Sequence, residues 1–300
     1  MKLRIGTNEE GGTFHSQGSA LADMLRRERV VDDVVLVPVE SASVGNAEAL
    51  GRGEIDLGFM ASNWIGRALR GEAPFMRPIA LRMASPANAG QMFFAVRRES
   101  GLRTMDDMRG RRVVVGPPNS GMVQHVHNIF GVLGIGFDEL EPLYMSFAEG
   151  ADALAAGRVD AQWQCPVPNR VMTDLAERCD VRVLQYRPGE LEAVLEAVEF
   201  YRRAVLPRGA FRGLDADSDQ VGVLNVLAAH ERTDAGLVQA VVAAMVANAD
   251  ALADALPLYR GLGALYEPLR SGGVAALEPG GARLHPGAAA AYRAAGLLTP

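Results

Sequence analysis

The segment Leu50-Gly51-Arg52-Gly53-Glu54-Ile55-Asp56 recurs in altered form as Leu154-Ala155-Ala156-Gly157-Arg158-Val159-Asp160. In both segments a helix is expected to end at a glycine, after which the chain turns through a polar pair into an apolar strand. A strand, a glycine-rich loop and a helix precede each copy. This repetition predicts two similar α/β lobes, with the last third of the chain returning to the first. The alternative is a chance likeness between two common helix-to-strand turns.

Strand and helix patterns alternate on both sides of the repeated segment. Val34–Val39 is an apolar run rich in β-branched residues, which is typical of a buried strand. Pro78–Met83 and Met92–Val96 have the pattern of two further, separate strands. Strands and helices alternating with short loops are typical of lobes with largely parallel sheets. We therefore predict an α/β fold of two similar lobes with mixed, mainly parallel sheets.

The composition fits a two-lobed globular protein and excludes a nucleic-acid partner. The chain has 300 residues, which is more than one core usually serves, and 49% of them are apolar while 22% are charged. The formal net charge is −6, whereas binding a polyanion requires a concentrated basic face. The short basic run Arg109–Arg112 introduces an apolar strand and is interpreted as a solvated turn.

Export, membrane and redox signals are sparse. No stretch approaches the roughly 18 consecutive apolar residues of a spanning helix. Met1–Ile5 passes directly into a strand pattern without a signal peptide, so we expect either a mature or trimmed form of an exported protein or a cytoplasmic one. Cys165 and Cys179 show no metal-ligand spacing with the five histidines, and a disulfide between them is left open. No metal and no other cofactor is predicted.

Two glycine-rich loops are the main candidates for ligand binding. Gly6–Thr13 and Gly116–Gly121 each join a predicted strand to the start of a helix, where unpaired N–H groups form a natural anion site. Neither loop has a nucleotide-binding fingerprint. Two such loops facing one another would clamp a small anion from both sides.

Other polar residues follow predicted strands at the edge where ligands collect in α/β sheets. Ser41 or Ser43 either caps a helix or contacts the ligand, and Asn46 adds an amide donor. Asn63 follows the strand Ile55–Met60 in the same manner. The candidate ligand-binding residues are therefore Gly12, Thr13, Phe14, His15, Ser41, Ser43, Asn46, Asn63, Asn119, Ser120, Gly121 and Cys165.

An ordered set of short motifs resembles the TAXI family, the solute receptors of TRAP transporters. The loop Gly11–Phe14 resembles the family's Gly-Gly-Thr-aromatic signature, and Gly116–Gly121 resembles its Gly-Pro-x-x-Ser-Gly loop. The resemblance runs almost from end to end of the chain. The remaining matching segments are Ser41–Asn46, Gly53–Asp56, Gly101–Val113, Gly157–Ala161 and Leu284–Ala288.

The resemblance implies a type II periplasmic-binding-protein fold without catalytic activity. Lobe 1 would comprise residues 1–96 and 207–300, and lobe 2 would be the inserted segment 97–206, with hinges near Val96–Arg98 and near Val205–Pro207. Such a receptor is periplasmic and monomeric. It captures an amino acid, dicarboxylate or 2-oxoacid by closing its two lobes and delivers it to membrane transporter subunits.

Departures from the family pattern leave two other classes open. His15 stands where the family usually has an aromatic residue, and Asn63 where an acidic one is common. The same fold hosts decarboxylases and desulfinases, and in a cytoplasmic enzyme of that type Cys165 or His15 would be the nucleophile or the acid/base group. A ligand sensor is the third class.

Overall fold

The computed structural model divides the chain into two compact units. Residues 2–39, 41–118, 120–164, 166–198 and 200–299 are described. Unit 1 consists of Met1–Glu10, Phe14–Asn88 and Leu224–Pro300. Unit 2 consists of Gly11–Thr13 and Ala89–Val223.

Strands and helices alternate along most of the chain. The strands are β1 (Lys2–Thr7), β2 (Asp33–Pro38), β3 (Leu57–Ala61), β4 (Leu81–Arg97), β5 (Arg112–Val114), β6 (Glu141–Leu143), β7 (Ala161–Gln164), β8 (Val181–Val183), β9 (Tyr201–Leu206) and β10 (Ser218–His230). The α-helices are α1 (Thr13–Arg27), α2 (Ser43–Arg52), α3 (Asn63–Arg70), α4 (Gly121–Val132), α5 (Phe147–Ala155), α6 (Arg170–Arg178), α7 (Glu190–Ala197), α8 (Ala235–Ala247), α9 (Ala249–Ala255), α10 (Leu262–Tyr266), α11 (Pro268–Gly272) and α12 (Pro286–Ala294).

Unit 1 is built on a sheet with the strand order β2-β1-β3-β10. The strand β1 runs parallel to both β2 and β3, and β10 runs antiparallel to β3. All five residues of β3 are buried, because helices cover a sheet of this kind on both faces.

Unit 2 contains a second sheet with the strand order β4-β7-β5-β6. The strand β5 runs parallel to β6 and β7, whereas β4 runs antiparallel to β7 and to β8. The first six residues of β10 pair antiparallel with β9. Both units are therefore α/β structures with mixed sheets, as the sequence predicts.

The segment predicted as two strands, Pro78–Met83 and Met92–Val96, is one strand, β4. The polar residues between them look like a turn in the sequence, but they are buried and hydrogen-bonded. Ser85 Oγ lies 2.9 Å from Tyr266 Oη, and Asn88 Oδ1 accepts hydrogen bonds from other buried amides. Because these polar groups are satisfied inside the protein, the backbone stays extended.

The strands β4 and β10 carry the chain from one unit to the other. The crossings fall at Asn88–Ala89 and at Val223–Leu224. The positions expected from the sequence, near Val96–Arg98 and near Val205–Pro207, both lie inside unit 2. Neither crossing coincides with a break in a strand, so the hydrophobic pattern contains no signal for its position.

A forked ion pair joins the first and third strands of unit 1. Arg4 Nη2 lies 2.6 Å from Asp56 Oδ1, and Arg4 Nε lies 3.1 Å from Oδ2. The backbone N–H of Arg4 donates to the same carboxylate at 2.8 Å, and its Nη1 donates to the carbonyl of Gly53. The pair sets the register in which Ile5 stands opposite Leu57.

The same constellation recurs in unit 2. Arg112 Nη2 lies 2.9 Å from Asp160 Oδ1, Nε lies 3.1 Å from Oδ2, and the backbone N–H of Arg112 donates to that carboxylate at 2.9 Å. Nη2 also reaches the carbonyl of Gly157. The register again starts one residue later, with Val113 opposite Ala161. The repetition seen in the sequence is thus confirmed as a repeated structure.

In both units a buried amide side chain fills the space between a helix and the sheet and faces a glycine, but the amide lies on opposite elements. In unit 1 the helix α2 supplies a buried amide, Asn46, whose Nδ2 donates to the carbonyl of Phe59 at 2.8 Å. The strands facing it supply glycines. A Cβ at Gly6 would lie 2.5 Å from Asn46 Oδ1, and one at Gly58 would lie 3.2 Å from Asn46 Cβ.

In unit 2 the amide and the glycine have exchanged places. Counted from the paired aspartates, Asn46 corresponds to Gly150 on α5, and Gly58 corresponds to Gln162 on β7. Gln162 Nε2 donates to the carbonyl of Phe147 at 2.8 Å. A Cβ at Gly150 would lie 2.7 Å from that Nε2. The helix must therefore carry glycine where the strand carries the amide.

Within the described residues no single helix has the length and apolar character of a membrane span. The helices α8 and α9, which meet at a bend of 73°, satisfy those two criteria only when they are taken together.

The exchange predicts opposite effects for two helical glycines of unit 2. Gly150→Ala should lower the free energy of unfolding by about 1–3 kcal/mol, because the new methyl group would meet Val114 Cγ1 at 2.8 Å as well as the bonded Gln162 amide. Gly131→Ala on α4 should leave stability unchanged or raise it by up to about 1 kcal/mol, because no atom lies within 4 Å of its Cβ position. Urea unfolding of both variants measures this, and equal effects would contradict the packing described.

The repeated ion pair predicts a pH dependence. Hydrogen bonding to Arg112 lowers the pKa of the Asp160 carboxyl. Its contribution to stability is therefore complete above the unfolded pKa, about 3.9, and is lost as pH falls through the lower folded pKa. Asp160→Asn should be less stable than the unaltered protein at neutral pH, and the difference should shrink below about pH 4. A constant difference down to the lowest accessible pH would refute this role of Asp160.

Candidate functional site

Each unit has one point where the direction of its strand crossings reverses. In unit 1 the chain goes from β1 to the edge strand β2 and returns past β1 to β3. In unit 2 it goes from β5 to the edge strand β6 and returns past β5 to β7. Ligands of open α/β sheets bind at the carboxyl ends of the strands that flank such a reversal. These are the ends of β1 and β3 in unit 1, and of β5 and β7 in unit 2.

Two of the predicted residues begin α1 and belong to unit 1. The ring of Phe14 stacks on Phe59 with centroids 5.9 Å apart and is almost completely buried. The backbone N–H of His15 donates to Asn8 Oδ1 at 2.8 Å, and the His15 side chain is half-buried. Phe14 therefore belongs to the core of unit 1, while His15 remains accessible.

The loop after β2 has a structural role that the sequence did not show. Ser43 Oγ accepts from the backbone N–H of Ala61 at 3.1 Å, and the Asn46 side chain bonds to β3, so both side chains tie α2 to that strand. The interpretation of Ser41 or Ser43 as the cap of α2 is wrong. Ala42 is the N-cap residue and no side chain caps the helix. Ser41 and Ala42 both have positive φ, 64° and 46°, a strained conformation for residues other than glycine.

Asn63 stands at the reversal point of unit 1. It is the first residue of α3, directly after β3, and its side chain is half-buried. Its Oδ1 is fully buried and has no hydrogen-bond partner among the described residues.

In unit 2 the loop after β7 is held by hydrogen bonds to one of its carbonyl groups. Thr13 Oγ1 donates to the carbonyl of Pro166 at 3.2 Å, and Asn169 Nδ2 donates to the same carbonyl at 3.1 Å. Asn169 Oδ1 also caps α6 by accepting from Met172 N at 2.8 Å. Gly12 is buried beside Thr13. Thr13 is thus close to the reversal point of unit 2, and its hydroxyl is a donor to the protein itself.

Arg170, which the sequence analysis missed, is the cation of this region. It is the exposed first residue of α6, and it forms no ion pair or side-chain hydrogen bond with any described residue. Gly11 has φ 83°, and a Cβ there would lie 3.4 Å from Arg170 Nε. The signal in the sequence was a basic residue a few positions beyond the carboxyl end of the apolar strand that follows the repeated segment Leu154–Asp160.

Ser120 and Gly121 open the helix that follows β5. Ser120 is buried, and its Oγ accepts from Val123 N at a long 3.5 Å, so its own O–H remains available to a ligand. Gly121 is the first residue of α4. Asn119 and Cys165, the two other residues predicted here, lie outside the described residues.

The described residues hold little that resembles a catalytic site. His125 is buried with Nδ1 2.7 Å from Tyr201 Oη, and burial lowers its pKa to about 3, so it is neutral at pH 7. Cys179 is a free, half-buried thiol whose pKa is raised by burial. Among the described residues no group of three His, Cys, Asp or Glu side chains could hold a metal ion.

Solved structures of binding proteins share this fold. The alkanesulfonate-binding protein SsuA from Xanthomonas axonopodis pv. citri, bound to MOPS, is 20% identical, with a TM-score of 0.50 over 100% of this chain and 84% of that chain. The periplasmic sulfonate-binding protein SsuA from Methylobacillus flagellatus KT is 14% identical, with a TM-score of 0.53 over 100% and 97%. An ancestral arginine-binding protein bound to arginine is 16% identical, with a TM-score of 0.51 over 87% and 96%.

At these identities the likeness establishes the fold alone, and it confirms the predicted periplasmic-binding-protein architecture of type II. The sequence comparison reaches further, because it covers nearly the whole chain. Residues 5–296 match the NMT1-like family. The chain therefore belongs to the NMT1-like family.

Proposed function

We propose that this protein is a solute-binding receptor that captures a small organic anion, of the carboxylate class, by closing its two lobes. In this proposal it is a monomeric periplasmic protein of the TAXI type that delivers its solute to a TRAP-type membrane transporter. The two lobes of this proposal correspond to units 1 and 2 of the structure; the sequence analysis expected them at residues 1–96 with 207–300 and at residues 97–206.

The observation that carries the proposal is the repeated plan of the two units. Each unit holds its first and third strands together with a forked ion pair and then directs a loop and a helix N-terminus to the point of reversal. Thr13 starts the helix after β1, and Ser120 caps the helix after β5. The N-termini of these two helices, with the free Ser120 hydroxyl at one of them, supply the kind of donors that a receptor needs to hold an anion.

Arg170 supports the choice of an anion. A cation at the first residue of a helix is opposed by the helix dipole, and the described residues offer this guanidinium no carboxylate. A bound carboxylate or sulfonate would supply the missing negative charge and would accept from two guanidinium N–H groups at once. The Arg170 charge therefore lowers the stability of the free protein, and a bound anion would remove that cost.

The mechanism we propose is ligand-dependent closure. A ligand that contacts both lobes only in the closed form shifts the population toward that form by its difference in affinity for the two forms. The strands β4 and β10, which carry the chain between the units at Asn88–Ala89 and at Val223–Leu224, provide the hinge of this proposal. The alternative is an enzyme in which Cys165 or His15 would react with the solute, and consumption of the solute distinguishes it from a receptor.

A thermal-shift screen tests the proposal as a whole. The panel comprises amino acids, dicarboxylates, 2-oxoacids, aromatic acids and alkanesulfonates, and the hits are followed by mass spectrometry over several hours. A ligand at 100 times its Kd should stabilise the protein by about 2.7 kcal/mol. A hit that persists unchanged supports a receptor, whereas a hit that is consumed indicates an enzyme. A panel without hits would refute the proposal.

Arg170→Ala should weaken binding of the best anion by tenfold or more, because a charge-assisted contact is worth about 1.5–3 kcal/mol. Arg158→Ala is the matched control. Arg158 is exposed and lies just before the amino end of β7, opposite the proposed site. Isothermal titration at two salt concentrations measures the effect, and equal affinities of the two variants would remove Arg170 from the site.

Ser120→Ala should raise the Kd about tenfold through the loss of one hydroxyl contact. It should also lower stability by about 0.5–1 kcal/mol through the loss of a weak helix cap. Ser146→Ala is the control, because Ser146 caps α5 in the same unit, with Oγ 3.3 Å from Glu149 N, but follows the edge strand β6. A similar loss of stability without a change in Kd is expected for the control.

A further inference from the structure

A chain of two buried amides ends at the reversal point of unit 2. Gln162 and Gln164 lie on the same face of β7, and neither has exposed surface. Gln162 Nε2 donates to the carbonyl of Phe147 at 2.8 Å, and Gln164 Nε2 donates to Gln162 Oε1 at 2.9 Å. Gln164 Oε1 is buried and has no partner among the described residues.

The direction of this chain is determined by its first member. The carbonyl of Phe147 can only accept, so Gln162 must turn its NH₂ group toward it and its oxygen toward Gln164. Gln164 must then turn its own NH₂ group toward Gln162. The group left over at the end of the chain is therefore an acceptor, and only a donor can satisfy it.

The position of Gln164 makes that free acceptor relevant to the ligand. Val114, the last residue of β5, stands opposite Gln162, so Gln164 lies two residues beyond it, at the carboxyl end of β7. Counted from the paired aspartates, the corresponding residue of unit 1 is Met60, which is apolar. Four other buried amide oxygens have no partner among the described residues. Those of Gln17, Asn46 and Gln220 lie within α1, within α2 and near the start of β10, whereas that of Asn63 lies at the reversal point of unit 1.

We propose that the solute carries a hydroxyl or ammonium group in addition to its anionic group, and that this donor pairs with Gln164 Oε1. The inference rests on the proposed function as a solute receptor and narrows its ligand class to hydroxy acids or amino acids. A buried acceptor without a partner costs free energy, and a donor on the ligand removes that cost only in the complex. Gln164 is thus a specificity-determining residue.

The test uses ligand series that differ only at one carbon atom. Isothermal titration of the full chain compares succinate, malate and aspartate, and likewise propionate, lactate and alanine. The hydroxy or amino acid of the preferred series should bind about tenfold tighter than its parent acid, the worth of one buried hydrogen bond. Which of the two binds tighter distinguishes a hydroxyl donor from an ammonium donor.

Variants assign the effect to Gln164. Gln164→Leu should reduce the tenfold preference to nearly one by weakening binding of the donor-bearing acid. Gln220→Leu, which alters an equally buried glutamine of unit 2, should leave the preference intact. Equal binding of the parent acid by the unaltered protein overturns this inference but not the receptor, and so does a preference that survives in Gln164→Leu. If none of the six acids and no other anion binds, both proposals fail.

Discussion

Both units depend on one forked ion pair. It joins an arginine at the start of one strand to an aspartate just before another. It joins Arg4 to Asp56 and Arg112 to Asp160, in each case through two guanidinium bonds and one backbone bond to the same carboxylate. A slip of one residue in a parallel pair would turn every side chain to the other face. The ion pair prevents that slip, and the loops at the far ends of the strands are consequently delivered to fixed positions.

The two units share this ion pair but differ in where the buried amide and the facing glycine lie. In unit 1 the amide Asn46 sits on the helix and the glycines sit on the strands, whereas in unit 2 the glycine sits on the helix and the amide on the strand. The exchange conserves the space between helix and sheet. In unit 2 the strand that carries Gln162 also places Gln164 at its carboxyl end, the edge where ligands of open α/β sheets bind.

The arginines of the protein differ in whether a carboxylate pairs with them. Apart from the forked pairs of Arg4 and Arg112, most of the arginines near carboxylates are paired at the exposed surface, where each pair contributes little to stability. Arg170 differs because it stands at a helix N-terminus, beside the positive-φ residue Gly11, and has no carboxylate partner within the described part of the chain. The buried polar residues of β4 and β10 show the opposite case, in which Gln17 and Asn225 both donate to Asn88 inside unit 1. These buried amides therefore support the fold of unit 1.

The sequence alone was enough to predict the α/β class, the repetition of the two units and the glycine-rich loops after β1 and β5, because hydrophobic patterns and glycine-rich turns are local properties. Thr13, Asn63 and Ser120, which were predicted as ligand-binding residues in this way, begin or cap the helices that follow β1, β3 and β5. Only the tertiary structure decided that Phe14, Ser43 and Asn46 hold the fold together, since their partners lie on other elements. It also decided that β4 is one strand, because buried partners for Ser85 and Asn88 cannot be read from a local pattern. The sequence did not identify Arg170 and Gln164 either. Whether a side chain has a partner depends on the residues that surround it in space, and these are not adjacent in the sequence.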